Sequence, residues 1–244
     1  MKYEIYKKVS SKFENLTLNI KDYFKNSNTS IHKARNEIKI VEFENKTLTI
    51  KAFKIPNIIN KVVYTFFRDS KAKKSYNNSL KIIDFVPMPI SYIEFFKFGF
   101  LYDSYFISEN FNYDFTIREL LFDDNFKDKQ IILKEFANFT NQLHKNGIYH
   151  LDYSPGNILI RYENSQYIFK IVDVNRMKFI EFDTDTRAKN FSRIWLNDDD
   201  LTYIVKEYSL LNGEDFNILL DKSLDYSRKH KEKVELKKRL KGKK

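Results

Sequence analysis

The 244-residue sequence predicts an α+β fold of two lobes: a β-rich N-terminal lobe with one main helix, then a mostly helical C-terminal lobe. Three observations predict it. Residues 37–55 alternate apolar and polar side chains about a polar turn, as two paired strands do. Apolar residues recur every three or four positions over 72–83 and over 132–143, as they do on one face of a helix. Finally, strand-like patterns dominate before the polar segment "SENFNYDF" and helical ones after it. The domain boundaries follow as 1–107, 108–227 and a basic tail, 228–244.

The elements can be justified in order. "EIKIVEFEN" and "KTLTIKAFKI" make an antiparallel hairpin about "ENK", and Pro56 closes its second strand. "SKAKKSYNNSLKIIDF" places Ala72, Tyr76, Leu80 and Ile83 on one helical face, and "VPMPI" ends it. "ISYIEFFKFGFLY" and "SYFISENF" read as another hairpin about Gly99. "TIRELLFD" is a short helix. "KDKQIILKEFANFTNQLHKNG" is a long one, with Ile132, Phe136, Phe139 and Leu143 inward and Gly147 at its C′ position. Next come the loop "HLDYSPGN", the strand "NILIRY", the turn "ENSQ" and the strand "YIFKIVDVN". "DDDLTYIVKEYSLL" is a further helix, its three aspartates suited to the positive N-terminal end. Two lobes of this kind imply a cleft, a favoured place for a ligand.

Composition narrows the function classes. The chain has no cysteine, which excludes disulfides, thiolate metal sites and cysteine nucleophiles. No apolar run approaches the ~18 residues of a membrane span, and "MKYEIYKKVSSKFENL" lacks the apolar core of a signal peptide, so a cytoplasmic protein is expected. Charge is concentrated at one end: residues 228–244 carry ten Lys or Arg against two Glu, which is +8 of the total +10. Such a tail is either a solvated helix or a contact for an anionic partner, such as a membrane surface. Nucleic acid is disfavoured, because no aromatic residues interleave with the basic ones as stacking platforms.

Chemistry-bearing residues fall at a few places. Lys51 sits in the second strand, with Lys54 a competitor. His150, Asp152 and Asn157 share the loop after the long helix, and Asp173 closes the strand "IVDV". Taken singly, each has a plain structural reading: strand lysines usually face solvent, and an Asp/Asn turn usually only satisfies its own backbone. Asp173 is harder to dismiss, since a carboxylate in an apolar strand is costly unless paired or metal-bound.

Taken together, the order strand lysine, His150-x-Asp152-x-x-x-x-Asn157 and Asp173 resembles the protein-kinase-like superfamily. That resemblance implies ATP and Mg²⁺ as cofactors. Asp152 would orient or deprotonate the acceptor hydroxyl, with His150 bracing the loop. Asn157 and Asp173 would be metal ligands through their hard oxygens. Lys51 would contact the nucleotide phosphates, and Ser108 and Asn110 are further cofactor-binding candidates in the connecting segment. Tyr153, Ser154 and Arg176 flank the chemistry as acceptor contacts.

Within that superfamily the chain is similar to the lipopolysaccharide core kinases of the Kdo/WaaP type. The likeness rests on "IHKARNEIKIVEF", "LTIKAFKIPNIINKVVY", "SKAKKSY", "GIYHLDYSPGNILI" and "IVDVNRMKF", over roughly residues 30–210. It implies phosphorylation of a Kdo or heptose hydroxyl in the lipopolysaccharide inner core or a related glycolipid, peripherally at the cytoplasmic face of the inner membrane. Leu151 stands where protein kinases have Arg, and no A-P-E segment follows. Two departures remain. No glycine-rich loop is present near "SIHKARNEI", where Lys33 or Arg35 offers the nearest basic group, and the main helix has Asn77 and Asn78 where a glutamate is expected. The alternatives are a nucleotide-binding pseudokinase acting as a membrane scaffold and a small atypical Ser/Thr protein kinase.

Overall fold

Polar–apolar alternation in the N-terminal half resolves into one antiparallel sheet in the computed structural model. The model describes residues 1–244 except Ser10, Asn28, Ala34, Arg35, Ile55, Pro56, Lys241, Lys243 and Lys244, and it leaves the side chains of 31–33 and 58–60 undescribed. The expected strand-closing Pro56, and Arg35, therefore lie outside the described residues, as does the Lys33 side chain. The chain forms two compact units. The first is Met1–Asn112 together with Asp173–Asn175, and the second is Tyr113–Val172 with Arg176–Lys244.

The first unit runs β1 (Lys2–Ile5), α1 (Phe13–Leu18), α2 (Ile20–Asn26), β2 (Ser30–Lys33), β3 (Asn36–Phe43), β4 (Lys46–Phe53), α3 (Ile58–Phe66), α4 (Lys71–Lys81), β5 (Pro89–Lys97) and β6 (Phe100–Glu109). The strands form a six-stranded sheet in the order β1-β5-β6-β4-β3-β2. Both predicted hairpins form. β3 and β4 join through Glu44 and Asn45, and β5 and β6 through Phe98 and Gly99, all four with positive φ as a two-residue hairpin turn requires. Period-two alternation then sorts the side chains. Leu48 and Ile50 of β4 and Ile107 of β6 pack with Phe13, Leu16, Ile20 and Phe24 from α1 and α2. Phe53 and Tyr92 face the other way, against Ala72 and Tyr76 of α4. The expected single main helix is α4, capped by Ser70, whose Oγ accepts the Lys73 N–H at 3.1 Å. The helices α1, α2 and α3 and the strands β1 and β2 accompany it, beyond what the sequence pattern predicts.

The second unit runs β7 (Phe115–Thr116), α5 (Ile117–Phe122), α6 (Lys129–Lys145), β8 (Ile148–His150), a 3₁₀ turn (Pro155–Asn157), β9 (Ile158–Glu163), β10 (Gln166–Ile171), β11 (Met177–Phe179), α7 (Thr184–Phe191), α8 (Asp198–Asn212) and α9 (Phe216–Leu240). α6 buries Ile132, Phe136, Phe139 and Leu143, as its periodicity predicts. It stops at Gly147, whose φ of +68° supplies the left-handed residue after the C-cap. β9 and β10 pair in register through the positive-φ turn Asn164–Ser165. The basic tail is not a separate segment. α9 continues unbroken through residue 228 to Leu240, because Lys, Arg, Glu and Leu are all good helix formers and a change in charge does not end a helix.

Candidate active site

The first unit carries Lys51, Ser108, Asn110 and Asp173. On β4, Thr49, Lys51 and Phe53 share the face toward α4, so the Lys51 stem crosses an apolar wall and its side chain is only 13% exposed. Its Nζ donates to Asp173 Oδ1 at 2.5 Å and lies 5.4 Å from the centre of the Phe53 ring. Lys54 is exposed, which leaves Lys51 as the strand lysine engaged with an acid. Asp173 has a φ of +60°, the left-handed state that aspartate adopts more readily than most residues. Two amides hold this turn. Asn175 Nδ2 donates to Asp173 Oδ1 at 2.5 Å, and Asn78 Nδ2, from α4, donates to the Val174 carbonyl at 2.7 Å. Asp173 Oδ2 takes no hydrogen bond from the described residues.

Ser108 lies opposite Thr49 in the β4–β6 register, one same-face pair along from Lys51–Phe106, and is buried. Asn110 Oδ1 accepts the Thr49 hydroxyl at 2.8 Å, its backbone N–H donates to Thr47 O, and its Nδ2 donates to Asn112 Oδ1. Its amide is therefore spent on fixing the end of β6. A concavity of about 670 Å³ in this unit, lined in part by Asn15, Asn19, Asp22, Tyr23 and Glu42, includes none of the candidates.

The second unit carries His150, Asp152 and Asn157. His150 is buried at the end of β8. Its Nδ1 accepts the Asp152 N–H at 3.0 Å and its Nε2 donates to Val172 O at 3.0 Å, which fixes the neutral tautomer protonated on Nε2. With both nitrogens engaged, His150 is a positioning residue for the loop. The loop folds back on itself through Asn157, whose Nδ2 donates to the Asp152 carbonyl at 2.9 Å, while the Ser154 N–H reaches the same carbonyl at 2.7 Å. Asn157 O accepts the Val172 N–H at 2.9 Å. These bonds leave the Asp152 carboxylate and Asn157 Oδ1 without a hydrogen bond from the described residues. Pro155 is buried in the turn. Gly156 leaves room for the Arg118 guanidinium, which stands 2.8 Å from where a Cβ would be.

One sequence expectation is corrected here. Tyr153 is fully buried, stacked on Phe136 with its hydroxyl bonded to Thr140 Oγ1 at 2.9 Å, so it belongs to the core and cannot contact an acceptor. Burial pushes its hydroxyl pKa well above the ordinary value. The sequence reading also missed a buried chain of hydrogen bonds beneath the loop. Arg187 Nη1 donates to Tyr208 OH at 2.6 Å, Tyr208 OH meets His144 Nδ1 at 2.8 Å, and His144 Nε2 meets Asn190 Oδ1 at 2.9 Å. Asn190 Nδ2 then donates to His150 O at 3.1 Å. Burial lowers the His144 pKa to about 3, so it is neutral. The partners are spread over α6, α7 and α8 and leave no short motif to read.

Each unit carries one oxygen of the hard type that a divalent cation takes. Asn157 Oδ1 and Asp173 Oδ2 are oxygens left free by bonds that fix the rest of each side chain. Among the described residues no three His, Asp or Glu side chains converge as a self-contained metal cluster. Magnesium typically takes one or two protein oxygens and completes its shell with water and phosphates.

The fold is protein-kinase-like, and comparison with known proteins agrees. Residues 85–203, just under half of the chain, match the model of the Lipopolysaccharide kinase (Kdo/WaaP) family. The matched residues include every candidate except Lys51, whose case rests on its ion pair with Asp173. Family members are kinases acting on sugar hydroxyls, so the chain is a phosphotransferase with an alcohol acceptor; such kinases use ATP, generally with a divalent metal. Among solved structures, WaaP in complex with acyl carrier protein aligns with a TM-score of 0.61 at 11% identity, covering 96% of this chain and 98% of that one. It shows that the fold is shared. The MAP kinase LmaMPK10 from Leishmania major aligns at 0.44 and 13% identity over 87% of this chain and 65% of that one, a score that adds nothing to the argument. No curated protein matches the chain.

Proposed function

We propose that the chain transfers the γ-phosphoryl group of ATP to a hydroxyl of Kdo or heptose in the lipopolysaccharide inner core. The observation that carries this reading is the loop His150–Asn157. Everything around Asp152 is braced, while its carboxylate is left without a protein partner among the described residues, as a group awaiting a substrate hydroxyl should be. Asp152 orients that hydroxyl and accepts its proton. Lys51 presents a fixed ammonium to the nucleotide phosphates, at the side of the acid it pairs with. Asn157 and Asp173 would hold Mg²⁺, which when bound neutralises charge on the transferring phosphate. Phosphoryl transfer of this type depends mostly on positioning and electrostatics, which is the kind of work these side chains are placed to do.

The same proposal locates the chain peripherally at the cytoplasmic face of the inner membrane, since the acceptor is lipid-linked. No helix among the described residues is long and apolar enough to cross a membrane. From the WaaP complex we take one candidate protein partner, an acyl carrier protein. Co-elution of the two purified proteins supports it, and independent elution at micromolar concentrations refutes it.

The reaction is tested by incubating the protein with Mg-ATP and glycolipids ending in Kdo or in heptose, and reading phosphate transfer by mass spectrometry. A gain of one phosphate on either sugar is expected. Phosphate found only on protein substrates would instead support the Ser/Thr kinase reading. ATP binding without transfer to any acceptor would contradict the proposal.

A further inference from the structure

The β5–β6 hairpin ends in an anomaly. Its turn residues, Phe98 and Gly99, have φ values of +52° and +79°. Such turns are ordinarily made by Asn and Gly, and a bulky side chain in the left-handed region strains the backbone. Phe98 is moreover 89% exposed, so no packing within the protein offsets that strain.

Phe98 has neighbours of the same kind. Phe100, just past the turn, meets Phe66 of α3 edge-on at 6.2 Å, and the Leu101 N–H donates to Thr65 Oγ1 at 3.0 Å, tying the end of α3 to the strand. Phe66 and Phe67 are 67% and 78% exposed, and Val62 and Phe100 are exposed as well. With 150–250 Å² on each aromatic side chain, the patch presents apolar area on the order of 500 Å², the scale at which exposed patches mark interaction sites.

Cations ring this tip. Lys97 Nζ lies 5.6 Å from the Phe98 ring and 5.7 Å from Tyr102, and Lys61 Nζ lies 5.3 Å from Tyr102. Arg68 follows Phe67 in the chain. The nearby acids are occupied: Asp69 pairs with Lys73, and Asp103 with Lys21. Among the described residues no ion pair engages Lys61, Arg68 or Lys97. An apolar tip with a cationic collar is complementary to a bilayer interface, where rings enter the acyl boundary and ammonium groups meet headgroup phosphates. A second copy of this chain would bring the same cations face to face.

We propose that this aromatic tip of the first unit inserts into the interface of an anionic lipid bilayer, with Lys61, Arg68 and Lys97 against lipid phosphates. The proposal draws its purpose from the lipid-linked acceptor above, but vesicle binding is read without ATP or acceptor, so the two can fail separately. The probe is the full chain sedimented with vesicles of phosphatidylcholine containing about one-third phosphatidylglycerol, against pure phosphatidylcholine. The double variant Phe67→Ser/Phe98→Asn should bind the anionic vesicles at least about tenfold more weakly. Because Asn suits the turn, the variant should unfold at or above the wild-type temperature, which separates lost insertion from lost folding. Phe98→Trp should show a blue-shifted emission on adding anionic vesicles, after subtraction of the wild-type Trp195 signal. Full binding by the double variant overturns the proposal, and so does an emission from Phe98→Trp that anionic vesicles leave unshifted. Loss of binding confined to Lys233→Gln/Lys237→Gln/Lys238→Gln also overturns it, by making the end of α9 the anchor. A double variant that changes concentration-dependent self-association and not vesicle binding has the same effect, by assigning the patch to contacts between copies.

Discussion

Asn78 shows how a single residue can replace an expected one. With Asn77 it is one of two α4 positions where the kinase resemblance puts a glutamate for the strand lysine, and the carboxylate partner of Lys51 is instead Asp173 itself, 2.5 Å away. Asn78 then acts one step removed, through the Val174 carbonyl next to Asp173. A net hydrogen bond of this kind contributes about 1 kcal/mol, so Asn78→Ala should lower turnover roughly five- to tenfold and raise the divalent-ion concentration needed for half-maximal rate. Asn78→Gln, which keeps the donor, should recover part of the loss. Unchanged turnover and metal dependence in Asn78→Ala would remove Asn78 from the positioning of Asp173. Lys51, His150, Asp152, Asn157 and Asp173 could be singled out in the sequence because their spacing and order carry a pattern, and their roles are those proposed above. Asn78's bond could not be, because a side chain donating to a distant carbonyl leaves no local trace, and the same holds for His144 and Asn190.

At the level of elements, periodicity and turn chemistry carried most of the information. The three hairpins and the helices α4, α6 and α8 were readable because alternation or a 3.6-residue stripe was sustained, or because turn residues marked the ends. The pieces α1 and α2, six and seven residues long, gave too short a window for any period. Gly147 was legible as a helix stop, but its second constraint was not. A Cβ there would stand 2.9 Å from Ile180 O, on the segment whose N–H bonds back to Gly147 O. Gly147→Ala should therefore destabilise the protein by about 1–3 kcal/mol, seen as a lower urea midpoint with an unchanged slope. A midpoint equal to wild type would show that the close approach relaxes freely. The split at residue 228 misread α9 because charge marks a helix's surface and says little about its ends.

At the scale of the whole molecule, buried His144 couples folding to pH. Its pKa is about 3 in the folded protein against an ordinary 6.5, so below about 6.5 the unfolded chain binds the proton that the folded one refuses. The stability from keeping His144 neutral is complete above that pH and is lost progressively as pH falls toward 3. The slope is at most about 1.4 kcal/mol per pH unit for one proton. Urea midpoints measured at pH 7, 6, 5 and 4 should fall on this limb, and His144→Gln should flatten it; identical slopes would assign the acid sensitivity to other groups. The loop that carries Asp152 rests on this network through Asn190, which links the stability of the second unit to its chemistry. That chemistry is tested most directly by a single-turnover comparison of wild type and Asp152→Asn with Mg-ATP and a Kdo- or heptose-terminated glycolipid. The account predicts that ATP binding is unchanged while phosphate transfer to the sugar falls by about 10²–10⁴. Transfer at the wild-type rate by Asp152→Asn would contradict it.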